Sequence, residues 1–459
     1  MATIITTVLE LGVSATTVRE VSRHFDSEPA YTKALIQTAS FVYWAMGLVI
    51  VAAIFVGAPV LVNNWINLTS IDAGTAATMI RIMSLSTMVV LPRALYASLF
   101  RGRQRMGVNN TIDVVTAIGQ QLGIVVLLKL GGGPFTFASW ISASALIAVF
   151  AYVVVAARMF GWQALWPRFD LAVIKRNLRF ATLMMSNSLL ALVHTSADKV
   201  IVSKLLPVAD FGFYGFASAT VGRAGFVTAS ITQAAFPSLS SLFESGNRPE
   251  LLRQYRKLQD LVCFSTLPVF AAICFAALPV YTYLFNPSVA RYLLLPTVLI
   301  ALGSAMNGTL NTPYVMSLAM GKPQIAARAN VVALFVVLPV TVALIASFGI
   351  VGAAASWVFY HVFLYAYMLP MFCRECLEMS PWQWYAHALR AFGLAFVAYG
   401  LSWLVIAVPG SFSVLALALA YVAGSALFAA GAYFLIGPDL RDTVINLRRT
   451  FIQRRAGVQ

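Results

Sequence analysis

The chain has 459 residues, 60% apolar and only 10% charged, with a mean hydropathy of +0.83. Soluble domains carry about 25% charged residues, so a water-soluble globule is excluded. A membrane β-barrel is excluded as well, because the apolar runs are mostly long enough for helical spans of about 20 residues and do not alternate in short strands. The net charge of +15 would suggest nucleic acid in a soluble protein, but here it sits in loops between apolar runs, which excludes that partner.

Thirteen spans are predicted in chain order: 2–18, 38–62, 74–99, 108–129, 135–157, 180–204, 209–240, 260–285, 293–319, 325–347, 350–373, 388–408 and 412–436. Lys and Arg gather in cytoplasmic loops. Of the 31 basic residues, 24 fall in alternate loops and the tail, among them Arg19, Arg101, Arg158, Arg248, Lys322, Arg374 and Arg448. The intervening loops hold only Lys129, Lys204 and Arg291. This alternation places the C-terminus in the cytoplasm and Met1 on the periplasmic side.

An internal repeat underlies the odd count. Ala138-Ser139-Trp140 recurs as Ala355-Ser356-Trp357, and Val114-Val115 as Val331-Val332, both at an offset of 217. Tyr96 with Gly102-Arg103 is echoed by Tyr314 with Gly321-Lys322. Shared offset and shared place within a span mark a repeat of six spans. An even number of spans gives two halves of the same orientation, related by an axis along the membrane normal. The predicted fold class is therefore all-α: a polytopic membrane protein of two pseudo-symmetric helical bundles. Its divisions are an N-lobe at 1–170 with five spans, a C-lobe at 171–378 with six, and two extra spans with a basic tail at 379–459. The first half is expected to lack its opening helix, through a late start codon or as a five-plus-six variant.

No enzyme constellation appears. The four histidines have no metal-ligand spacing, no glycine-rich phosphate loop is present, and Cys373-Arg-Glu-Cys376 reads as a pair of ordinary thiols. No cofactor or metal is expected. The informative residues are charges at membrane depth, where an ionised side chain is expensive and faces protein or water. Arg81 and Arg93 lie within the third span, Asp198 and Lys199 near the outer end of the sixth, Arg223 midway along the seventh, and Glu10 within the first. The third and fourth spans form a hairpin pivoting near Arg103. That geometry sets Arg93 and Asp113 at similar height on adjacent helices, open to an ion pair. Arg81 has no obvious acidic partner. Glu10, Asp113 and Asp198 are candidates for ion coupling or for structural pairing. Four interior cations with few acids suit an anionic substrate, and guanidinium groups suit phosphate through paired hydrogen bonds.

Three stretches carry a resemblance: Leu9-Glu10-Leu11-Gly12-Val13-Ser14 with Arg19-Glu20-Val21, Leu99-Phe100-Arg101-Gly102-Arg103-Gln104-Arg105-Met106, and Asp198-Lys199-Val200-Ile201-Val202 with Phe211-Gly212-Phe213-Tyr214. In order and spacing the chain resembles the polysaccharide-transporter branch of the multidrug/oligosaccharidyl-lipid/polysaccharide superfamily, the lipid-linked oligosaccharide flippases. The resemblance implies two six-helix bundles in a V and export of an undecaprenyl-pyrophosphate-linked sugar unit across the bacterial inner membrane by alternating access. In that picture Arg81, Arg93, Lys199 and Arg223 hold the pyrophosphate and sugar. The expected partners are the lipid-linked oligosaccharide and membrane lipids, with the polysaccharide polymerase and chain-length machinery as further candidates. Two other readings stand beside it. One is a drug/cation antiporter of the same superfamily, which favours acidic cavity residues. The other is a non-transporting scaffold of polysaccharide assembly, whose interior charges would all be paired.

Overall fold

A computed structural model describes residues 14, 16–22, 24–65, 68, 72–103, 105–407 and 413–442, apart from the side chains of 87, 90, 179, 180, 183–192, 233 and 237. The described residues are almost wholly helical. After a short helical run over 16–22 come α1 (Pro29–Asn64), α2 (Ala73–Gly102), α3 (Met106–Lys129), α4 (Pro134–Phe160) and α5 (Leu171–Leu205). These are followed by α6 (Val208–Glu244), α7 (Arg248–Leu284), α8 (Pro287–Ala319), α9 (Gln324–Phe372), α10 (Pro381–Ala407) and α11 (Val414–Leu435). Among the described residues, nine helices are long and apolar enough to cross a membrane. The other two, α5 and α6, have the length at 35 and 37 residues, but α5 carries six charged side chains.

Helix starts follow local chemistry. Asp72, Asp170, Asn247, Asn286 and Ser413 each accept a hydrogen bond from a backbone N–H of the first turn they precede. This satisfies one of the donors that a helix N-terminus leaves open. Proline opens α1, α4 and α8, and stands second in α7; its missing N–H is no loss in a first turn. Two helices begin well before their apolar windows. α7 starts at Arg248 and not near 260, because its first turns are polar and register in helical periodicity but not in hydropathy. α1 likewise starts at Pro29 and not near 38.

The chain divides into two compact units, residues 1–208 and 209–459. In the first, Leu35, Tyr43, Leu95, Leu99, Phe100 and Tyr152 form a core where α1, α2 and α4 meet. In the second, Tyr255, Met316, Leu369, Phe372 and Trp384 gather α7, α8, α9 and α10. The Trp384 indole N–H donates to the Tyr255 hydroxyl at 3.1 Å.

Element boundaries follow the 217-residue offset. α1 falls on α7, α2 on α8, and α3 and α4 on the two arms of α9. Those arms are separated at Gly349, whose φ of +58° leaves the helix. A Cβ on nearby Gly352 would stand 1.9 Å from the Leu344 carbonyl. The break between the tenth and eleventh predicted spans is therefore a real hairpin. Its counterpart between α3 and α4 turns on Gly131, at φ +72°.

Candidate functional site: charges at membrane depth

Arg81 stands on α2, and its Nε donates to the Phe55 carbonyl of α1 at 3.1 Å. The guanidinium also lies 5.1 Å from the Phe55 ring centroid. That carbonyl is free for a reason written in the sequence. Its helical donor would be the N–H of residue 59, and residue 59 is a proline inside α1. Proline removes that donor and kinks the helix, and a freed carbonyl in a membrane helix needs another partner. A second freed carbonyl lies at the same helix pair. Pro92 of α2 frees Met88, and Gly47 of α1 packs against that oxygen so closely that a Cβ there would be 2.6 Å away. The α1–α2 contact thus holds two carbonyls freed by proline, one from each helix.

Arg93 donates from Nη2 to Asp113 Oδ1 at 2.5 Å, joining α2 to α3. The Tyr152 hydroxyl of α4 lies 2.8 Å from the same carboxylate oxygen and 2.8 Å from Asn109 Oδ1. Asn109 Nδ2 donates to the other carboxylate oxygen at 3.3 Å. Both Asp113 oxygens are therefore occupied. The Arg93 guanidinium also lies 5.7 Å from the Tyr152 ring centroid, and its side chain is 42% exposed, so part of its planar fork remains accessible. The hairpin geometry of the sequence brings Arg93 and Asp113 together; Tyr152 and Asn109 were not singled out there. Asn109 lies one turn before Asp113, but nothing local marks Tyr152, which is 39 residues away.

The remaining charges are placed differently. Lys199 donates to the Thr195 carbonyl of its own helix at 3.0 Å and lies 3.4 Å from its neighbour Asp198. Asp198 is buried. Arg81 and Arg93 share α2 but stand about 18 Å apart along it, at 1.5 Å per residue. Arg223, in the second unit, is exposed and has no hydrogen-bond or ion-pair partner among the described residues. Its neighbours Gly222 and Gly225 have open space over them. Glu10 lies outside the described residues.

The polar interior of the second unit holds one buried carboxylate, Asp260, which His387 contacts at 2.6 Å, among neutral groups. Gln259 of α7 donates to the Thr309 carbonyl of α8 at 3.3 Å, and that carbonyl is the one freed by Pro313. Thr309 bonds the Tyr365 hydroxyl at 2.5 Å, and Asn311 donates to Thr232 at 3.3 Å. An apolar groove of about 540 Å³ runs between α7, α8 and α10, lined by Phe270, Phe275, Leu295, Phe396 and Trp403, with Arg291 on its wall. All four cysteines are free, and Cys263, Cys373 and Cys376 are buried in this unit.

One further feature was not read from the sequence. α5 is tied to α1 at both ends. At the basic end Arg176 pairs with Glu28 at 3.1 Å, and Asn177 donates to the Tyr31 hydroxyl at 2.8 Å. At the other end the Trp65 indole donates to Ser203 at 3.1 Å, and Lys204 donates to the Asn64 carbonyl. At the basic end the Arg176 guanidinium beside Glu28 holds its carboxyl below the ordinary carboxylate range.

Comparison with known proteins agrees with this architecture. Residues 1–288 match the model of a family described as polysaccharide biosynthesis protein. A Shigella flexneri protein named "Putative O-antigen transporter" is 20% identical over 361 residues, 76% of this chain and 82% of that one. Among solved structures, the lipid II flippase MurJ in an inward closed conformation superposes with a TM-score of 0.66 at 14% identity, covering 91% of this chain and 89% of that chain. An inward-facing multidrug resistance MATE family transporter of the MOP superfamily gives 0.62 at 12% identity, covering 81% and 87%. The chain has the MurJ- and MATE-like fold of the MOP superfamily, and it belongs to the polysaccharide biosynthesis protein family.

Proposed function

We propose that this protein flips an undecaprenyl-pyrophosphate-linked oligosaccharide from the cytoplasmic to the periplasmic leaflet of the bacterial inner membrane, for O-antigen or exopolysaccharide assembly. Arg223 is the observation that carries this reading. A guanidinium midway along α6, exposed and without a hydrogen-bond or ion-pair partner among the described residues, is suited to water and to an anionic ligand. Arg93 adds a second fork, fixed on one edge by Asp113 and accessible in part. Arg81 and Lys199 complete the proposed set of substrate-binding cations, at other depths. The apolar groove on α7, α8 and α10 supports the same reading, since a polyprenyl chain needs such a surface. In this reading the basic ends of the helices face the cytoplasm, as does the C-terminus.

The scaffold reading requires interior charges to be paired off, and Arg223 is not. The cation-antiporter reading requires open carboxylates; among the described candidates both oxygens of Asp113 are bonded and Asp198 is buried beside Lys199, while Glu10 lies outside the described residues.

The test is complementation of a strain lacking its own flippase, with surface polysaccharide and accumulated lipid-linked precursor as readouts. The protein should restore the polysaccharide and clear the precursor. Arg223→Ala should lose that activity at least tenfold, the factor set by one charge-assisted hydrogen bond of about 1.5–3 kcal/mol, with an unchanged amount of folded protein in the membrane. Full activity of Arg223→Ala would sink the assignment of that residue. Failure of the unaltered protein across strains with different repeat units would sink the flippase reading.

A further inference from the structure

At the basic end of the first unit the acids are already engaged. Glu20 binds Arg19 at 2.6 Å and accepts from the Tyr31 hydroxyl at 2.9 Å. Asp26 pairs with Arg103 at 3.2 Å, Glu28 with Arg176 and with His24, and Asp170 caps the first turn of α5. Six exposed cations remain without an ion pair among the described residues: Arg101 and Arg105 at the turn between α2 and α3, and Lys33, Arg158, Arg168 and Lys175.

Arg168 belongs to an ordered strap that Arg158 and Lys175 flank in the chain, and Lys33 lines the pocket beneath it. Residues 161–170 leave the end of α4 and lie along the first turns of α1. Gln37 donates to the Gln163 carbonyl at 2.9 Å, the Arg168 N–H donates to the Gln37 carbonyl at 3.2 Å, and Phe41 packs edge-on against Phe169 at 5.5 Å. Lys33, Gln37 and Phe41 are spaced four apart and form one stripe of α1. The strap turns its large aromatic groups outward: Trp162 is 65% exposed, Trp166 75% and Phe169 52%. Beneath it opens a pocket of about 380 Å³ lined by Thr32, Lys33, Ile36, Phe160, Trp162 and Gln163.

Exposed tryptophans at the end of membrane helices mark the headgroup level. A basic pocket at that level, between helices, is suited to an anionic lipid headgroup. We infer that the pocket under the Trp162 strap is a binding site for an anionic phospholipid of the leaflet at the basic end, its phosphate held by Lys33, the cation in the pocket lining, and its upper chain lying against Ile36 and Phe160. The inference does not depend on the transport reading, since it needs only a membrane helix end with uncompensated charge.

The test uses the full-length protein reconstituted in phosphatidylcholine bilayers containing brominated phosphatidylglycerol or, in parallel, brominated phosphatidylcholine. The quenching lost in Trp162→Phe isolates the signal of Trp162. Brominated phosphatidylglycerol should quench Trp162 with at least about fivefold preference over phosphatidylcholine, as expected for about 1 kcal/mol per cation near the surface. Lys33→Gln should abolish the preference, and Lys33→Arg should keep it. Lys33 is exposed, so folding is not at stake, and an unchanged gel-filtration profile checks that. Equal quenching by the two lipids would overturn the inference. Displacement of phosphatidylglycerol by an equimolar amount of undecaprenyl phosphate would also overturn it, and would assign the pocket to the transport substrate.

Discussion

The two repeats meet the same backbone problem with different chemistry. In the first, Pro59 frees the Phe55 carbonyl of α1, and a guanidinium from α2 takes it. In the second, Pro313 frees the Thr309 carbonyl of α8, and the amide of Gln259 on α7 takes it. Gln259 is 3% exposed, among Tyr255, Cys263 and Thr309. A charge would be costly there, and a neutral amide satisfies the oxygen without one. Arg81 is only half-buried, so its unused nitrogens keep access to solvent or to a ligand. The kink is common to both halves, but only the first adds a fixed positive charge to it. At this kink the first unit is thus ionic and the second neutral, although the second unit buries Asp260 beside Gln259 and pairs it with His387 at 2.6 Å.

The largest expected effect breaks the helix contact that the kinks create. Gly47→Ala sets a Cβ against the Met88 carbonyl, and backbone cannot turn aside. Overpacking of this kind costs about 1–3 kcal/mol, which should appear as a lower midpoint for unfolding in detergent. The second unit offers the contrast. Gly308→Ala would meet the Thr228 hydroxyl at 3.3 Å, the end of a side chain that can rotate. Its midpoint should move much less. A larger loss at Gly308 than at Gly47 would show that backbone contact is not what limits these positions.

Next comes the buried amide. Gln259→Leu leaves the Thr309 carbonyl without a partner in a dry site, at about 1–3 kcal/mol. Pro313→Ala restores a helical N–H to that carbonyl, so the double variant should recover most of the loss. If the two changes simply add, the amide is not serving the proline kink.

Arg81 gives a smaller structural effect and a more informative one. Arg81→Met should cost about 1 kcal/mol, the low end for such a bond because the site is partly solvated. Pro59→Ala should return that stability, again by supplying the missing N–H. Transport separates the two roles. Stability and transport recovering together would make Arg81 a structural cap alone. Stability recovering while transport stays low would give the guanidinium a ligand of its own.

How much of this could be read in advance depended on where each partner lay in the chain. The Arg93–Asp113 pair was legible because one tight turn at Arg103 fixes the relative heights of two adjacent helices. The break at Gly349 was legible because two apolar runs of the right length flank it. The partner of Arg81 was not legible from charges, since it is a carbonyl on another helix; the usable signal was Pro59, four residues beyond Phe55. The ties between α1 and α5 join residues about 140 apart, such as Trp65 and Ser203, and no local pattern encodes that distance. The polar starts of α1 and α7 were missed because hydropathy windows see the membrane and not the helix.

The smallest effect concerns those ties. At the basic end Glu28 and Arg176 are both at the surface, where an ion pair contributes little, so the midpoint at neutral pH should barely change in Glu28→Gln. The pH dependence should change instead. Arg176 lowers the Glu28 pKa from its ordinary value of 4.5. Below that lowered value the carboxyl is protonated in both folded and unfolded chains, and the pair contributes nothing. As pH rises from there towards 4.5, the folded chain ionises first, and the contribution grows to its full size above 4.5. The unaltered protein should therefore lose stability as pH falls through this window, and Glu28→Gln should show a shallower slope. The second repeat supplies the control, because its corresponding helix pairs through a cation: Arg253 of α7 bonds Asp439 at 2.8 Å. Glu28→Gln leaves that pair intact, so the slope that survives in the variant belongs to the other carboxylates. An unchanged slope would mean that α5 is held to α1 by Asn177 and Tyr31 at this end, with the charges as bystanders.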